Sequence, residues 1–240
     1  MSSFLWGGLW RGRTPHGDAH LRARMIVRPT GGIVRGKFPS RKNGRMIQHE
    51  GLLELDAIHL FEANHRIVRY REQPLTLHYP DGERLRRYTP DFELVLDTGE
   101  VVLVEVKPIR SLSNAEVKHK MDCIAAHMHR IDQSFVILSE GCIRHEPRLS
   151  SLRWVLHQAG RVPPTDDSMC AALIRHQEKF PLSLREASDC LSVSNIDPYS
   201  LLLAGRLICS LDGPMSLETS IHLAEEPRHV WFWIAEEYGF

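Results

Sequence analysis

The chain has 240 residues, of which 42% are hydrophobic and 25% are charged, as is usual for a globular protein of one or two domains. Its apolar runs, such as residues 101–104, are too short to span a bilayer, and no secretory signal is recognisable at the N-terminus. The five cysteines form no CxxC pair, which disfavours a disulfide framework or a zinc knuckle and predicts a reducing cytoplasm.

The formal net charge of zero conceals a gradient along the chain. Residues 1–50 contain ten Lys and Arg residues and two acidic residues. Residues 160–240 contain six Lys and Arg residues and twelve acidic residues. We interpret residues 1–48 as a basic N-terminal arm for a polyanion and the acidic end as a module with another partner. A simple solvated tail is the alternative interpretation of the basic segment.

Residues 49–160 carry alternating helical and strand patterns. In chain order they predict a helix at 50–64, strands within 66–79 interrupted at Pro74, a turn at 80–82, strands at 87–96 and 101–107 joined by a tight turn at 97–100, a helix at 114–130 and a buried strand at 134–139. This order predicts an α/β domain in which helices flank a mixed sheet.

A Pro-rich stretch at residues 162–167 predicts a linker before a second domain at residues 166–240. That domain is predicted to contain a helix at 168–180, a helix opened by a capping box at 183–186, a helix at 197–205 and a hairpin with strands at 207–211 and 216–223. Helices followed by a hairpin predict a winged-helix-like module.

The strongest chemical signal is Thr89-Pro90-Asp91 followed by Glu105-Val106-Lys107. Side chains alternate along a strand, so Glu105 and Lys107 project from one side, and the intervening hairpin brings Asp91 beside Glu105. Two carboxylates and an ammonium group are therefore predicted to converge on one face of the sheet.

Adjacent carboxylates repel each other, and a hard divalent cation such as Mg²⁺, with Mn²⁺ as a substitute, removes the conflict. We predict Glu54, in the helix before the sheet, as the third carboxylate, with Glu50 as its rival one turn earlier. Lys107 has three possible roles: orienting the attacking water, helping to deprotonate it, or neutralising phosphate charge.

Pro-Asp and Glu-x-Lys are each common on protein surfaces, so a surface ion pair is the alternative interpretation. The combination is more specific, because Glu105 and Lys107 end a run as apolar as Val-Val-Leu-Val. Basic residues near the motif are candidates for holding phosphates beside the scissile bond, with solvated charge as the alternative. These candidates are Arg41, Lys42, Arg45, Arg86 and Arg87.

The segment around these motifs resembles the N-terminal nuclease domain of TnsA-type transposon endonucleases, which belong to the PD-(D/E)xK restriction-endonuclease-like superfamily. The resemblance covers about residues 45–140. It is carried by Leu-Leu-Glu in a helix, then Arg-Glu-Gln-Pro, then Tyr-Thr-Pro-Asp-Phe, then Val-Glu-Val-Lys-Pro.

The resemblance implies a restriction-endonuclease-like fold in which Glu54, Asp91 and Glu105 bind the metal and Lys107 is the catalytic lysine. It further implies cleavage of double-stranded DNA at the 5′ ends of a transposon, beside a DDE transposase subunit. An AAA+ regulator is expected to contact the C-terminal domain, in a bacterial cytoplasm and at the nucleoid when DNA is bound.

Two other functions fit the same residues. A restriction, repair or phage-defence nuclease with this fold would cut DNA without a transposase. A non-catalytic adaptor would bridge DNA through the basic arm and a regulator through the acidic domain.

Overall fold

The computed structural model describes residues 20, 22, 23, 34–225 and 230–240 of the protein. The chain divides into two compact units. The first unit contains Ile67–Ile143 and the residues up to Ile58, and the second contains His59–Arg66 and Arg144–Phe240. Most of the predicted basic arm lies outside the described residues. Within the described part of the chain, no helix is long and apolar enough to cross a membrane.

The first unit alternates strands and helices. Its elements are β1 (Gly36–Ser40), β2 (Arg45–His49), α1 (Leu52–Ala63), β3 (Ile67–Glu72), β4 (Leu77–Asp81), β5 (Arg84–Tyr88), β6 (Phe92–Leu96), β7 (Val101–Val106), α2 (Ile109–Leu112), α3 (Ala115–Arg130), β8 (Phe135–Leu138) and α4 (Glu140–Ile143). The last residues of α1 belong to the second unit. The hairpin of β1 and β2 lies almost entirely in the segment that we interpreted as a basic arm.

The central sheet has the strand order β3-β6-β7-β8. β6 pairs antiparallel with β3 and β7, whereas β7 pairs parallel with β8. The apolar face of α3 packs its Met121 and Ile124 with Leu103 of β7 and Phe135 of β8. Val102 and Val104, which alternate with Leu103, are also fully buried, so β7 is covered on both faces. The predicted mixed sheet flanked by helices is confirmed.

The predicted strand at residues 87–96 is wrong, because the chain forms two strands there. β5 ends at Tyr88 and pairs with β4, and β6 begins at Phe92 in the central sheet. Pro90 explains the break, since it has no N–H for a ladder and restricts the preceding Thr89. The predicted turn at residues 80–82 is also shifted: Pro80 and Asp81 belong to β4, and Gly82, with φ of 60°, begins the turn.

The second unit is built from short elements. They are α5 (Arg148–Gln158), α6 (Asp166–His176), β9 (Leu182–Ser183), α7 (Leu184–Ser192), α8 (Pro198–Leu203), β10 (Leu207–Ile208) and β11 (Ser220–Leu223). The three strands form one antiparallel sheet in the order β10-β11-β9. Its core includes Leu184, Leu191, Leu201 and Ile221, all fully buried.

The helix signals predicted for this unit are largely confirmed. Ser183 and Glu186 form the predicted capping box of α7, and Asp197 caps α8 by accepting from the Ser200 amide. The predicted helix at 168–180 is displaced, because the Thr165 side chain caps α6 two residues earlier and a 3-10 turn replaces its end. The sequence missed α5 and the strand β9, and both hairpin strands are shorter than predicted. The winged-helix assignment stays a prediction.

Candidate active site

Asp91 and Glu105 lie opposite each other at one end of the β6–β7 ladder. The antiparallel register pairs Phe92 with Val104, so the residue before Phe92 meets the residue after Val104. Asp91 is fixed on the sheet by two bonds: its Oδ2 accepts from the Val106 amide at 2.9 Å, and its carbonyl accepts from the Gln73 amide at 2.8 Å. The structure thus brings together the first two predicted site residues.

Both carboxylate oxygens of Glu105 have a donor. Lys107 Nζ lies 2.7 Å from Oε1, and the hydroxyl of Tyr88 donates to Oε2 at 2.6 Å. Glu105 is only 3% exposed, whereas the Lys107 side chain is 29% exposed. The buried carboxylate therefore holds the ammonium group of Lys107, which is partly exposed to solvent.

Glu54 lies in the first turn of α1, in the helix that the sequence predicted. Its Oε2 accepts a hydrogen bond from the backbone amide of Glu50 at 2.7 Å. The carboxylate thereby satisfies an amide just before the helix, where a negative charge also complements the helix dipole. Glu50, the predicted rival ligand, therefore positions the Glu54 side chain through its backbone amide.

The negative charges of the three carboxylates outnumber the positive charge beside them. Burial, followed by the charges of Glu105 and Glu54, raises the pKa of Asp91 well above its usual value. Burial and the negative charges of Glu50 and Glu105 raise the pKa of Glu54 to about 7. Burial alone would lower the pKa of Lys107, but Glu105, Asp91 and Glu54 outweigh it and raise that pKa. One ammonium group thus faces three carboxylates.

This donor set fits a hard divalent cation. Three carboxylates offer the oxygen ligands that Mg²⁺ and Mn²⁺ prefer, and their excess negative charge is what such an ion would compensate. Within the described residues, however, the ligand oxygens of Glu54, Asp91 and Glu105 are not all within 4.8 Å of one another. A shared ion therefore requires these oxygens to move closer together.

The five basic residues predicted to contact DNA have different surroundings. Arg45 forms a two-pronged ion pair with Glu72, at 3.1 and 2.7 Å. Arg86 pairs with Asp81, and Lys42 donates to the Ile67 carbonyl at 2.6 Å. Arg41 is half-buried and Arg87 is exposed. Contact with DNA stays a prediction for all five, and Arg45 already has a structural role.

Tyr88 is the site residue that the sequence analysis missed. It ends β5, three residues before Asp91, and its hydroxyl reaches Glu105 from outside the central sheet. Its ring packs edge to face against Tyr79 and Phe135, and Lys120 Nζ lies 5.7 Å from the ring centre. The only signal was its place in the Tyr-Thr-Pro-Asp-Phe segment, where a buried tyrosine needs a hydrogen-bond partner.

Comparison with known proteins bears on the first unit. A search of curated protein sequences gave no match. A family model described as "TnsA-like endonuclease N terminal" matches residues 64–140. The matched segment includes Asp91, Glu105 and Lys107, whereas Glu54 lies before it. The resemblance to TnsA-type endonucleases is therefore confirmed over residues 64–140, where the chain matches this family model.

Proposed function

We propose that the protein is a metal-dependent DNA endonuclease of a heteromeric transposase, which hydrolyses phosphodiester bonds at the 5′ ends of a transposon. The observation that carries this proposal is Asp91 opposite Glu105, with Lys107 bonded to Glu105. The TnsA-like domain over residues 64–140 supports the nuclease class and the link to transposition.

In this proposal Glu54, Asp91 and Glu105 hold Mg²⁺, or Mn²⁺ in its place. Such a cation supplies Lewis-acid chemistry by lowering the pKa of water and offsetting phosphate charge. The Val106 amide and the Tyr88 hydroxyl fix one oxygen each of Asp91 and Glu105, which orients both carboxylates before a ligand arrives.

Lys107 acts in its protonated, ammonium form. The surrounding carboxylates raise its pKa, so it is an ammonium group at neutral pH. An ammonium donates to a phosphate oxygen or to the attacking water, and it neutralises the charge that develops during hydrolysis. This favours orientation and charge neutralisation over proton abstraction among the three roles left open by the sequence.

The second unit supports a partner-binding role. Its order of helix α6, strand β9, helices α7 and α8, and strands β10 and β11 fits a winged-helix-like module. The sequence from residue 160 onwards has twice as many acidic as basic residues, which disfavours phosphate contacts and favours a protein partner such as an AAA+ regulator. A DDE transposase subunit would process the 3′ ends of the same element.

A non-catalytic DNA-bridging adaptor is the second candidate. It is favoured by one observation: within the described residues the ligand oxygens of the three carboxylates are not all within 4.8 Å of one another, and both oxygens of Glu105 already have donors. An adaptor would need no metal for its action, so metal binding separates the two functions.

A nicking assay tests the proposal. The purified chain is combined with Mg²⁺ and DNA carrying the ends of the element that encodes it, with and without the neighbouring transposase. We expect 5′-end nicks that need both proteins and that are lost in Asp91→Ala and Lys107→Ala. The exposed turn variant Glu83→Gln is the control that keeps activity. Nicking by Asp91→Ala at the wild-type rate would contradict the site, and specific cutting without the transposase would favour a stand-alone nuclease.

A further inference from the structure

A second group of metal-ligating side chains lies in the first unit, apart from the nuclease carboxylates. It consists of Asp81 at the end of β4 and of His119 and Cys123 on α3. One ligand atom from each residue lies within 4.8 Å of the others, and within the described part of the chain no other group of this kind was found. Carboxylate oxygen, imidazole nitrogen and thiol sulfur are thus presented to one point.

The distances suit a tetrahedral ion. His119 Nε2 lies 3.6 Å from Cys123 Sγ and 2.8 Å from Asp81 Oδ1. With ordinary zinc bond lengths, tetrahedral angles place a nitrogen and a sulfur ligand about 3.6 Å apart and a nitrogen and an oxygen ligand about 3.3 Å apart. The separation of nitrogen and sulfur already has this value. The nitrogen of His119 and the oxygen of Asp81 would have to move apart by about half an ångström.

The scaffold holds the three side chains in place. His119 and Cys123 are four residues apart on α3, so they project from the same face one turn apart. The same helix places Met121 and Ile124 in a core cluster with Tyr79 of β4, which fixes the helix beside the strand. Arg86 pairs with Asp81 Oδ2 and leaves Oδ1 directed at His119.

The ligand types select the ion. A thiolate and an imidazole favour zinc-like transition metals, whereas Mg²⁺ prefers oxygen ligands alone. His119 is 65% exposed in its side chain, so an ion can enter from solvent and a water can complete its coordination. We propose that Asp81, His119 and Cys123 form a binding site for Zn²⁺ or a similar divalent transition metal, which links the β4–β5 hairpin to α3.

Cobalt titration tests the site directly. The reduced full-length protein is titrated with Co²⁺ in the presence of excess Mg²⁺, and near-ultraviolet thiolate-to-cobalt absorption is recorded. This band reports a sulfur ligand, so Co²⁺ bound to the nuclease carboxylates does not produce it. We expect one equivalent to bind, Zn²⁺ to displace it, and Cys123→Ser to abolish the band. His119→Gln and Asp81→Asn should each weaken Co²⁺ binding at least about tenfold, since each removes one of three ligands.

Matched variants control the assignment. Cys170→Ser removes another half-buried thiol, and His129→Gln removes an exposed histidine from the same helix. Both should keep the band and the affinity. With excess Mg²⁺ present, Zn²⁺ should also raise the melting temperature of the wild type more than that of Cys123→Ser, because a ligand stabilises the state that binds it. A wild type without the band, or a band that survives in Cys123→Ser, would overturn the proposal.

Discussion

Glu72 and Asp91 are carboxylates of the same unit with opposite electrostatic surroundings. Glu72 is 1% exposed and receives hydrogen bonds from Arg45, Arg22 and the Gln48 amide. Burial alone would raise its pKa, but the bonds from Arg45 and Arg22 outweigh burial and hold the pKa below its usual value. Asp91 has no such excess of cations, and its pKa is raised.

The contrast separates a structural ion pair from a site that needs an outside ion. Two guanidinium groups lower the pKa of Glu72 in the folded protein, so its charge contributes to stability. Glu54, Asp91 and Glu105 share one ammonium group, so their charges repel each other. Such an unbalanced cluster is characteristic of functional sites, where stability is given up for the binding of a ligand.

Substitution of Glu72 should produce the largest loss of stability. Glu72→Gln leaves the partly buried guanidinium of Arg45 without its counter-ion, and we expect the free energy of unfolding to fall by about 3 kcal/mol. Urea denaturation measures this loss. Asp122→Asn is the control, because its pair with Lys118 is exposed on both sides and should contribute little. A Glu72→Gln protein as stable as the control would refute the structural role.

Substitution of Asp91 should reduce activity without reducing stability. Asp91→Asn keeps an oxygen for the Val106 amide but removes a repelling charge, so stability without metal should hold or rise. We expect the nicking rate to fall by at least about a hundredfold, as for removal of a charge that stabilises a transition state. Nicking assays and urea denaturation of the same protein sample give the nicking rate and the free energy of unfolding. A destabilisation as large as that of Glu72→Gln would place Asp91 among the structural carboxylates instead.

The sequence predicted those features that depend on neighbouring residues. The tight turn at residues 97–100 and the apolar strand after it set the β6–β7 register, which is why Asp91 and Glu105 were correctly expected to be adjacent. The helix that carries Glu54 followed from the spacing of its apolar residues. Local periodicity and turn chemistry suffice for these elements.

The sequence did not predict contacts made across the fold. The sequence did not predict that Arg45, a candidate for phosphate contact, pairs with Glu72, which is 27 residues away in the chain. The Tyr88 hydroxyl reaches Glu105 only because the strand breaks at Thr89-Pro90 and β5 leaves the central sheet. Likewise, His119 and Cys123 have a recognisable spacing, but Asp81 joins them only through the packing of α3 against β4.

Removal of the Tyr88 hydroxyl should have a moderate effect on activity. Tyr88→Phe keeps the ring contacts but takes the donor from Glu105 Oε2, so we expect about a tenfold loss of nicking and weaker Mn²⁺ binding by calorimetry. Tyr79→Phe is the matched control, because it removes a hydroxyl from the neighbouring ring of the same cluster. Equal effects of the two variants on Mn²⁺ binding would show that the Tyr88 hydroxyl does not position Glu105.

The smallest expected effect is a dependence of the Glu72 contribution on pH. The folded-state pKa of Glu72 lies below its value of 4.5 in an unfolded chain, so its stabilisation is fully present above that value. As the pH falls through the folded pKa, both states become protonated and the contribution is lost, by at most about 1.4 kcal/mol per pH unit. Urea denaturation of the wild type and Glu72→Gln from about pH 7 to about pH 3 should therefore show a difference that shrinks on the acid side of 4.5. A difference that stays constant over this range would mean that Glu72 contributes through packing and neutral hydrogen bonds, and the contrast with Asp91 would then not rest on charge.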